Sequence, residues 1–173
     1  DKIYDDVLRQ SGVIRAPGLR DMLEYARAIP VLATPKGENV VIITGAGGSG
    51  VLLSDACVDN GLKLLKPMPA DLDAAFRKFI PPFGAAGNPV DITGGEPPKT
   101  YQNTIRLGLE DPRIHSLILG YWHTIITPPM VFAKLVAEVV EEFRARGISK
   151  PVVASLAGDV EVEEAAEYLF DHG

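Results

Sequence analysis

The sequence is short of cysteine and of basic runs, and it has no long apolar stretch. Its single cysteine, Cys57, excludes an internal disulfide and a cysteine metal cluster. The formal net charge of −6 and the lack of any basic run argue against nucleic acid or an anionic membrane as the main partner. No apolar run is long enough to span a bilayer, and no signal peptide is present. We therefore expect a cytoplasmic protein.

The two ends of the chain suggest that it was cut from something larger. There is no initiator Met, and residues 1–10 have the pattern of a helix already under way. The last residues, His172 and Gly173, stop where another helix would receive its C-cap. With 173 residues, 46% of them hydrophobic, the chain can still build one ordinary domain with a full core.

A buried strand followed by a glycine-rich turn is the most informative stretch. Val40–Ile43 is a continuous β-branched run, which suits a central parallel strand, and Gly45–Gly50 follows at once. The turn matches G-x-G-x-x-G, but no acid ends the next strand, as a dinucleotide site requires, and no Lys follows Gly50, as a P-loop requires. What remains is a cradle for phosphate or another anion at a helix start. Its residues are Gly45, Ala46, Gly47, Gly48, Ser49 and Gly50, with Ser49 as the expected N-cap; the alternative is a turn needed only for tight packing.

Five apolar strand patterns alternate with helical patterns along the chain. This alternation predicts an α/β fold with an open, parallel, five-stranded, flavodoxin-like sheet in a three-layer sandwich, with strand order 2-1-3-4-5. In the helix after the glycine turn, Val51, Leu52, Ala56 and Cys57 are expected to form the buried face. The predicted strands are 40–43, 62–65, 90–93, 116–121 and 151–155.

Three loops are expected to meet at the carboxyl edge of this sheet, where ligands bind in such folds. They are the glycine turn, the segment Gly87–Gly95 and the stretch Tyr121–Thr124. Asn88, Asp91, Gly94 and Gly95 form a supporting loop in this prediction, since Asn before Pro is held extended and Asp can bind backbone N–H groups. The alternative is that Asn88 and Asp91 only fix a turn.

His123 is the one histidine expected near the ligand edge, so acid or base chemistry there is conceivable. No acid or nucleophile accompanies it in the sequence, which makes catalysis by His123 the weaker interpretation. No cluster has the spacing of metal ligands, and no catalytic triad can be assigned. We therefore predict neither a metal site nor a catalytic residue in this chain.

Three runs together resemble the ADP-forming acyl-CoA synthetases, relatives of succinyl-CoA synthetase. They are Asp1-Lys-Ile-Tyr-Asp-Asp-Val-Leu-Arg-Gln-Ser-Gly-Val-Ile-Arg15, Thr44-Gly-Ala-Gly-Gly-Ser-Gly-Val-Leu-Leu-Ser-Asp-Ala56 and Gly87-Asn-Pro-Val-Asp91. The resemblance implies the flavodoxin-like domain equivalent to the carboxyl-terminal domain of the succinyl-CoA synthetase β subunit, over residues 36–173. Residues 1–35 would then be a helical linker from the preceding domain. The family often has Asn where this chain has Thr44, and Tyr121–Thr124 lacks the glycines that succinyl-CoA synthetase has there.

The resemblance also implies a function. Full enzymes of this family interconvert acyl-CoA, phosphate and ADP with acid, CoA and ATP through a phosphohistidine, and two helix amino termini point at that group. The helix beginning at Gly48 to Gly50 would be one of them. ATP or ADP, Mg²⁺ and CoA would act in the full enzyme and none would bind this fragment alone, which should be inactive.

The implied partners are the CoA-binding, phosphohistidine-bearing and ATP-grasp domains, an anion at the glycine turn and, as a further possibility, a second copy of the chain. Two other functions stay open. Synthetase-like domains fused to protein acetyltransferases serve as non-catalytic, ligand-sensing regulators. The chain could also be an assembly domain in which the glycine turn serves packing only.

Overall fold

A computed structural model describes residues 2–173, which divide into two units, one ending at Leu32 and the other comprising Ala33–Gly173. The first unit holds α1 (Lys2–Gln10) and α2 (Leu19–Ala28). Neither helix has a buried residue within the described part of the chain. The helical character predicted for this region is thus confirmed, whereas its role as a linker from a preceding domain stays a prediction.

The second unit is an α/β domain in which strands and helices alternate. Every pairing between its strands is parallel, which confirms the predicted open parallel sheet. The strands are β1 (Asn39–Thr44), β2 (Lys63–Leu64), β3 (Val90–Asp91), β4 (Ser116–Trp122) and β5 (Val152–Ala157). The helices are α3 (Gly47–Asp59), α4 (Ala70–Arg77), α5 (Pro98–Glu110), α6 (Pro129–Ala145) and α7 (Val160–Asp171).

The predicted strand order 2-1-3-4-5 is wrong in one respect: β3 does not lie between β1 and β4. The order is β2-β1-β4-β5, and β3 pairs with β1 outside this path. β4 pairs with β1 from Val40 to Thr44. On the other edge of β1, β2 lies opposite Asn39 and Val40, and β3 lies opposite Ile43 and Thr44. Two strands of two residues each are short enough to share that edge one after the other.

The side chain of Asn88 occupies the gap between β2 and β3. Its Oδ1 accepts a hydrogen bond from the Ile42 N–H at 3.0 Å, and its Nδ2 donates to Val40 O at 2.7 Å and to Leu65 O at 3.5 Å. The residue is 3% exposed. The amide thus replaces the backbone partner that a longer strand would supply, and it explains how the edge of β1 stays paired where neither strand reaches.

The main core lies on one face of the sheet. Val41, Ile43 and Leu119 point into it, together with buried residues of α4, α5 and α6. On the other face α3 packs against β1 and β4, where a β-carbon at Gly120 would lie 3.1 Å from Leu53 Cδ1. The three-layer arrangement is therefore confirmed. No helix in the described residues is long and apolar enough to cross a membrane.

The buried face predicted for α3 is wrong at three of its four residues. Cys57 is buried, but Val51, Leu52 and Ala56 are exposed. The face toward the sheet instead carries Gly50, Leu53 and Cys57, and at Gly50 the helix lies so close that a β-carbon would be 2.9 Å from Thr44 Cγ2. Close approach of the backbone at this point requires glycine.

Candidate functional site

The glycine-rich turn joins the carboxyl end of β1 to the start of α3, as the sequence predicts. The helix begins at Gly47 with Ala46 as N-cap, so Ser49 lies in the first turn and is not the cap. No side chain caps this end, and the first turn contains no acidic residue. The first bond of the helix runs from Gly50 N to Ala46 O at 3.0 Å. Among the described residues, none accepts a hydrogen bond from the N–H groups of Gly47, Gly48 or Ser49.

Unpaired N–H groups at a helix amino terminus can donate hydrogen bonds to an anion. The helix dipole places a partial positive charge at the same point, and negative groups are stabilised there by about 0.3–1 kcal/mol when exposed. Gly47 and Gly48 are exposed, so an anion can reach these donors. These exposed donors have the chemistry that a phosphoryl or phosphate group would need.

Thr44 fixes the shape of this turn. Its buried hydroxyl accepts a hydrogen bond from the Ala46 N–H and donates one to Ala46 O, both at 3.0 Å. A hydroxyl can do both at once, so a single side chain orients the peptide groups that precede the helix. The sequence indicated Thr44 only as a departure from the family pattern. Its place directly before the glycines was the signal for this role.

The glycines of the turn are not equivalent. A β-carbon at Gly45 would overlap the Tyr101 hydroxyl, and one at Gly47 would lie 2.7 Å from Asp91 Oδ2. A β-carbon at Gly48 would meet no atom within 4 Å. Packing thus favours glycine at positions 45 and 50, and a side chain at Gly47 would have to displace the Asp91 carboxylate, whereas Gly48 leaves room beside the helix start. Gly48 is therefore the position for a functional test.

The supporting loop adjoins the turn through Asp91 and Gly94. Asp91 Oδ1 accepts a hydrogen bond from the Thr93 N–H at 2.8 Å, and Thr93 has a φ of 67°. A β-carbon at Gly94 would lie 3.2 Å from Gly45 O, and both Gly94 and Gly95 are exposed. Asp91 therefore holds its own loop while its second oxygen lies beside the helix start. Asn88 supports the loop from within the sheet, since its polar atoms are bonded to β1 and to Leu65.

The loop after β4 completes the edge and brings acids to His123. Its Nδ1 lies 3.3 Å from Asp159 Oδ1, and its Nε2 lies 3.7 Å from Glu161 Oε2. Asp159 is also the N-cap of α7, where it accepts from the Glu161 N–H. The expectation that His123 has no acid beside it is therefore wrong: residues that follow β5 supply two. A cavity of about 340 Å³ opens here, lined by Trp122, His123, Ala157, Gly158 and Asp159.

Tyrosines behind these loops are held neutral. Burial raises the pKa of Tyr101, and the nearby Tyr121 and Asp91 raise it further. Burial is also the main cause that raises the pKa of Tyr121, whose hydroxyl donates to Thr127 O at 2.7 Å. Burial therefore favours the neutral form of both side chains. No group of three or more His, Cys, Asp or Glu residues in the described chain is placed to hold a metal ion.

Comparison with known proteins relates this domain to acyl-CoA ligases. A family model described as Ligase-CoA domain matches residues 40–173. The chain is 38% identical over its whole length to the α subunit of Acetate--CoA ligase [ADP-forming] I of Pyrococcus furiosus, of which it covers 36%. It is 33% identical over 99% of its length to 4-hydroxybutyrate--CoA ligase [ADP-forming] of Nitrosopumilus maritimus, of which it covers 24%. The chain thus spans about a third or less of these relatives.

Solved structures agree with this relation. The dinucleotide forming acetyl-coenzyme A synthetase 1 of Ca. Korarchaeum cryptofilum, in complex with phosphate and ADP, matches with a TM-score of 0.89 and 35% identity. The match covers 97% of this chain and 35% of that one. PH0766 from Pyrococcus horikoshii matches with a TM-score of 0.88 and 33% identity, over 99% of this chain and 39% of that one. Because the family model covers most of the second unit, the chain belongs to the Ligase-CoA domain family.

Proposed function

We propose that this chain is a domain of an ADP-forming acyl-CoA synthetase and that the amino terminus of α3 holds the phosphoryl group during its transfer. The observation that carries the proposal is the set of three unpaired N–H groups at Gly47, Gly48 and Ser49. Charge in phosphoryl transfer spreads over oxygen atoms, so fixed hydrogen-bond donors stabilise it without further rearrangement. The names of the relatives, which are ADP-forming ligases, support the same reaction class.

The remaining parts of the reaction belong to other domains in this proposal. ATP or ADP, Mg²⁺ and CoA act in the assembled enzyme, together with the CoA-binding, phosphohistidine-bearing and ATP-grasp domains. The phosphohistidine itself is supplied from outside residues 1–173. The turn of this chain contributes backbone donors only, which agrees with the lack of an acid or a basic side chain in its first helical turn.

The test is phosphorylation of the assembled enzyme by [γ-³²P]ATP, measured as acid-labile label. Gly48→Val places a branched side chain beside the unpaired N–H groups, in space that no atom of the domain occupies within 4 Å. Ala56→Val is the matched control, because it adds a β-branched residue at an exposed position of the same helix. We expect at least a tenfold loss of label in Gly48→Val and wild-type label in Ala56→Val.

Two other results of the labelling experiment would favour a different function. Equal labelling of a folded Gly48→Val protein would reject the site and favour a packing role for the turn. No labelling of the wild-type enzyme would reject the synthetase reaction and favour a regulatory domain. Circular dichroism spectra of both variants are compared with that of the wild type to check that each variant is folded.

A further inference from the structure

A cavity of about 280 Å³ lies at the opposite edge of the sheet from the glycine turn. It is formed where the chain enters β1, β4 and β5, between the carboxyl end of α5 and the turn that follows α6. Leu109, Ile114, Ile148, Lys36, His115 and Lys150 are among the residues that line it. The proposed phosphoryl-transfer site uses none of them.

The floor of this cavity is apolar and rigid. Leu109 and Ile114 are 2% and 0% exposed and belong to the main core, against which Ile148 also packs. The volume is about nine times the ~30 Å³ that one water molecule occupies in the liquid. A ligand of roughly nine non-hydrogen atoms therefore fits, and its apolar part would be removed from water by these side chains.

Two lysines give the cavity a positive charge. Lys150 Nζ donates to Asp111 O at 2.7 Å and to Gly108 O at 3.3 Å, which leaves one of the three ammonium donors for a ligand. Burial is the main cause that lowers the pKa of Lys150; the charge of Asp111 acts in the opposite direction, and the charge of Lys36 lowers the pKa further. A bound anion would offset the repulsion between the two ammonium groups.

Two carboxylates lie near these lysines, Asp111 and Glu110, and Glu110 also lines the cavity; both are paired with arginines. Asp111 bonds Arg113 at 2.6 Å, and Glu110 bonds Arg146 at 3.3 Å. Within the described part of the chain, no carboxylate oxygen lies within 4.0 Å of the ammonium of Lys36 or Lys150. The cavity therefore combines an apolar floor with two ammonium groups that make no salt bridge among residues 2–173, while its one acidic lining residue, Glu110, is held by Arg146.

We infer that this cavity binds a small carboxylate with an apolar body, with its charge toward Lys36 and Lys150 and its body on Leu109, Ile114 and Ile148. The apolar walls favour such a ligand over inorganic phosphate, which would leave them in contact with water. This cavity is separate from the glycine turn, so a failure of benzoate to bind would leave the proposed phosphoryl-transfer site unaffected.

Benzoate is a suitable probe, since it has nine non-hydrogen atoms, and benzamide is its uncharged equivalent. Each is titrated into ¹⁵N-labelled protein while backbone amide resonances are followed. We expect benzoate to shift the amides of His115, Ile148 and Ser149 and to bind at least tenfold more tightly than benzamide. Inorganic phosphate at the same concentrations should leave these amides unshifted.

Lys36→Met and Lys78→Met make a matched pair, because both residues are exposed and only Lys36 lines the cavity. Benzoate affinity should fall about tenfold in Lys36→Met and stay at the wild-type value in Lys78→Met. Equal affinity for benzoate and benzamide, an equal loss in both variants, or benzoate shifts confined to residues 45–50 would each overturn the inference.

Discussion

Asn88→Ala tests whether one buried amide holds β3 against β1. The substitution removes the acceptor of the Ile42 N–H, and Ile42 is fully buried. An unsatisfied buried donor costs about 1–3 kcal/mol, and the lost bonds to Val40 O and Leu65 O add to this. Val40 O keeps a second bond, from Leu65 N at 3.0 Å, which limits the loss. We expect the free energy of unfolding to fall by about 3 kcal/mol.

Thermal unfolding followed by circular dichroism measures this loss. For a chain of this size 1 kcal/mol lowers Tm by about 2–4 °C, so Asn88→Ala should lower it by roughly 6–12 °C. Asn60→Ala is the matched control: Asn60 is exposed and makes one side-chain bond, to Ala56 O at 2.9 Å. That variant should stay within about 0.5 kcal/mol of wild type. Similar Tm values for the two variants would refute the structural role of Asn88.

Asn88→Asp tests the donating nitrogen of this amide separately from its accepting oxygen. An Asp oxygen can still accept from the Ile42 N–H, but its second oxygen would face Val40 O and Leu65 O, which also only accept. Burial and these carbonyls raise the folded pKa of the introduced carboxyl above its unfolded value of about 3.9. The variant should therefore be closest to wild type below about pH 3.9, and the gap should widen as pH rises through the folded pKa. A gap that narrows with rising pH would contradict this hydrogen-bond assignment.

Thr44→Val should lower the free energy of unfolding in urea by about 1–2 kcal/mol, because it leaves the Ala46 N–H without its acceptor. The same change at exposed Thr34 should cost less than about 0.5 kcal/mol, and equal losses would contradict the role of the Thr44 hydroxyl in the turn. Asp91→Asn keeps an oxygen that accepts from the Thr93 N–H but removes a negative charge beside the start of α3. Phosphate titrated into the protein and followed by NMR should therefore bind roughly threefold more tightly. Weaker binding would show that Asp91 does not repel phosphate. The hydrogen bond from Arg113 is the main cause that lowers the pKa of Asp111, so this carboxylate stabilises the fold above its unfolded pKa of about 3.9, and the effect is lost as pH falls. Arg113→Gln should therefore raise the pKa of Asp111 in an NMR titration and reduce stability more at pH 7 than at pH 3. An unchanged pKa would contradict the pairing of Arg113 with Asp111.

The sequence predicted the sheet and the glycine turn because both depend on local patterns. A β-branched run bounded by glycines specifies a buried strand and a tight turn whatever surrounds it. The order of the strands depends on pairing over distance, and a two-residue strand such as β3 carries almost no pattern that says where it pairs. The role of Asn88 shared this difficulty, since its partners at Val40 and Ile42 lie more than 45 residues away.

The buried face of α3 was mispredicted for a different reason. The rule that apolar residues at helical spacing face the core assumes an ordinary distance between helix and sheet. Here a β-carbon at Gly50 would lie 2.9 Å from Thr44 and 3.2 Å from Pro89, so the helix approaches the sheet most closely at Gly50. The glycine at this position was visible in the sequence and was the better guide to the inner face.

The observed strand order also changes what the candidate site contains. With β3 between β1 and β4, the loop after β4 would lie one strand away from the glycine turn. In the structure β4 is the direct neighbour of β1, and the Gly45 N–H bonds Gly120 O at 3.1 Å. The stretch Tyr121–Thr124 therefore begins beside the turn, and Thr124 approaches Gly94. His123 and Asp159 meet because β4 and β5 are adjacent, which the predicted order already implied, so this pair could have been found by following each parallel strand to its carboxyl end.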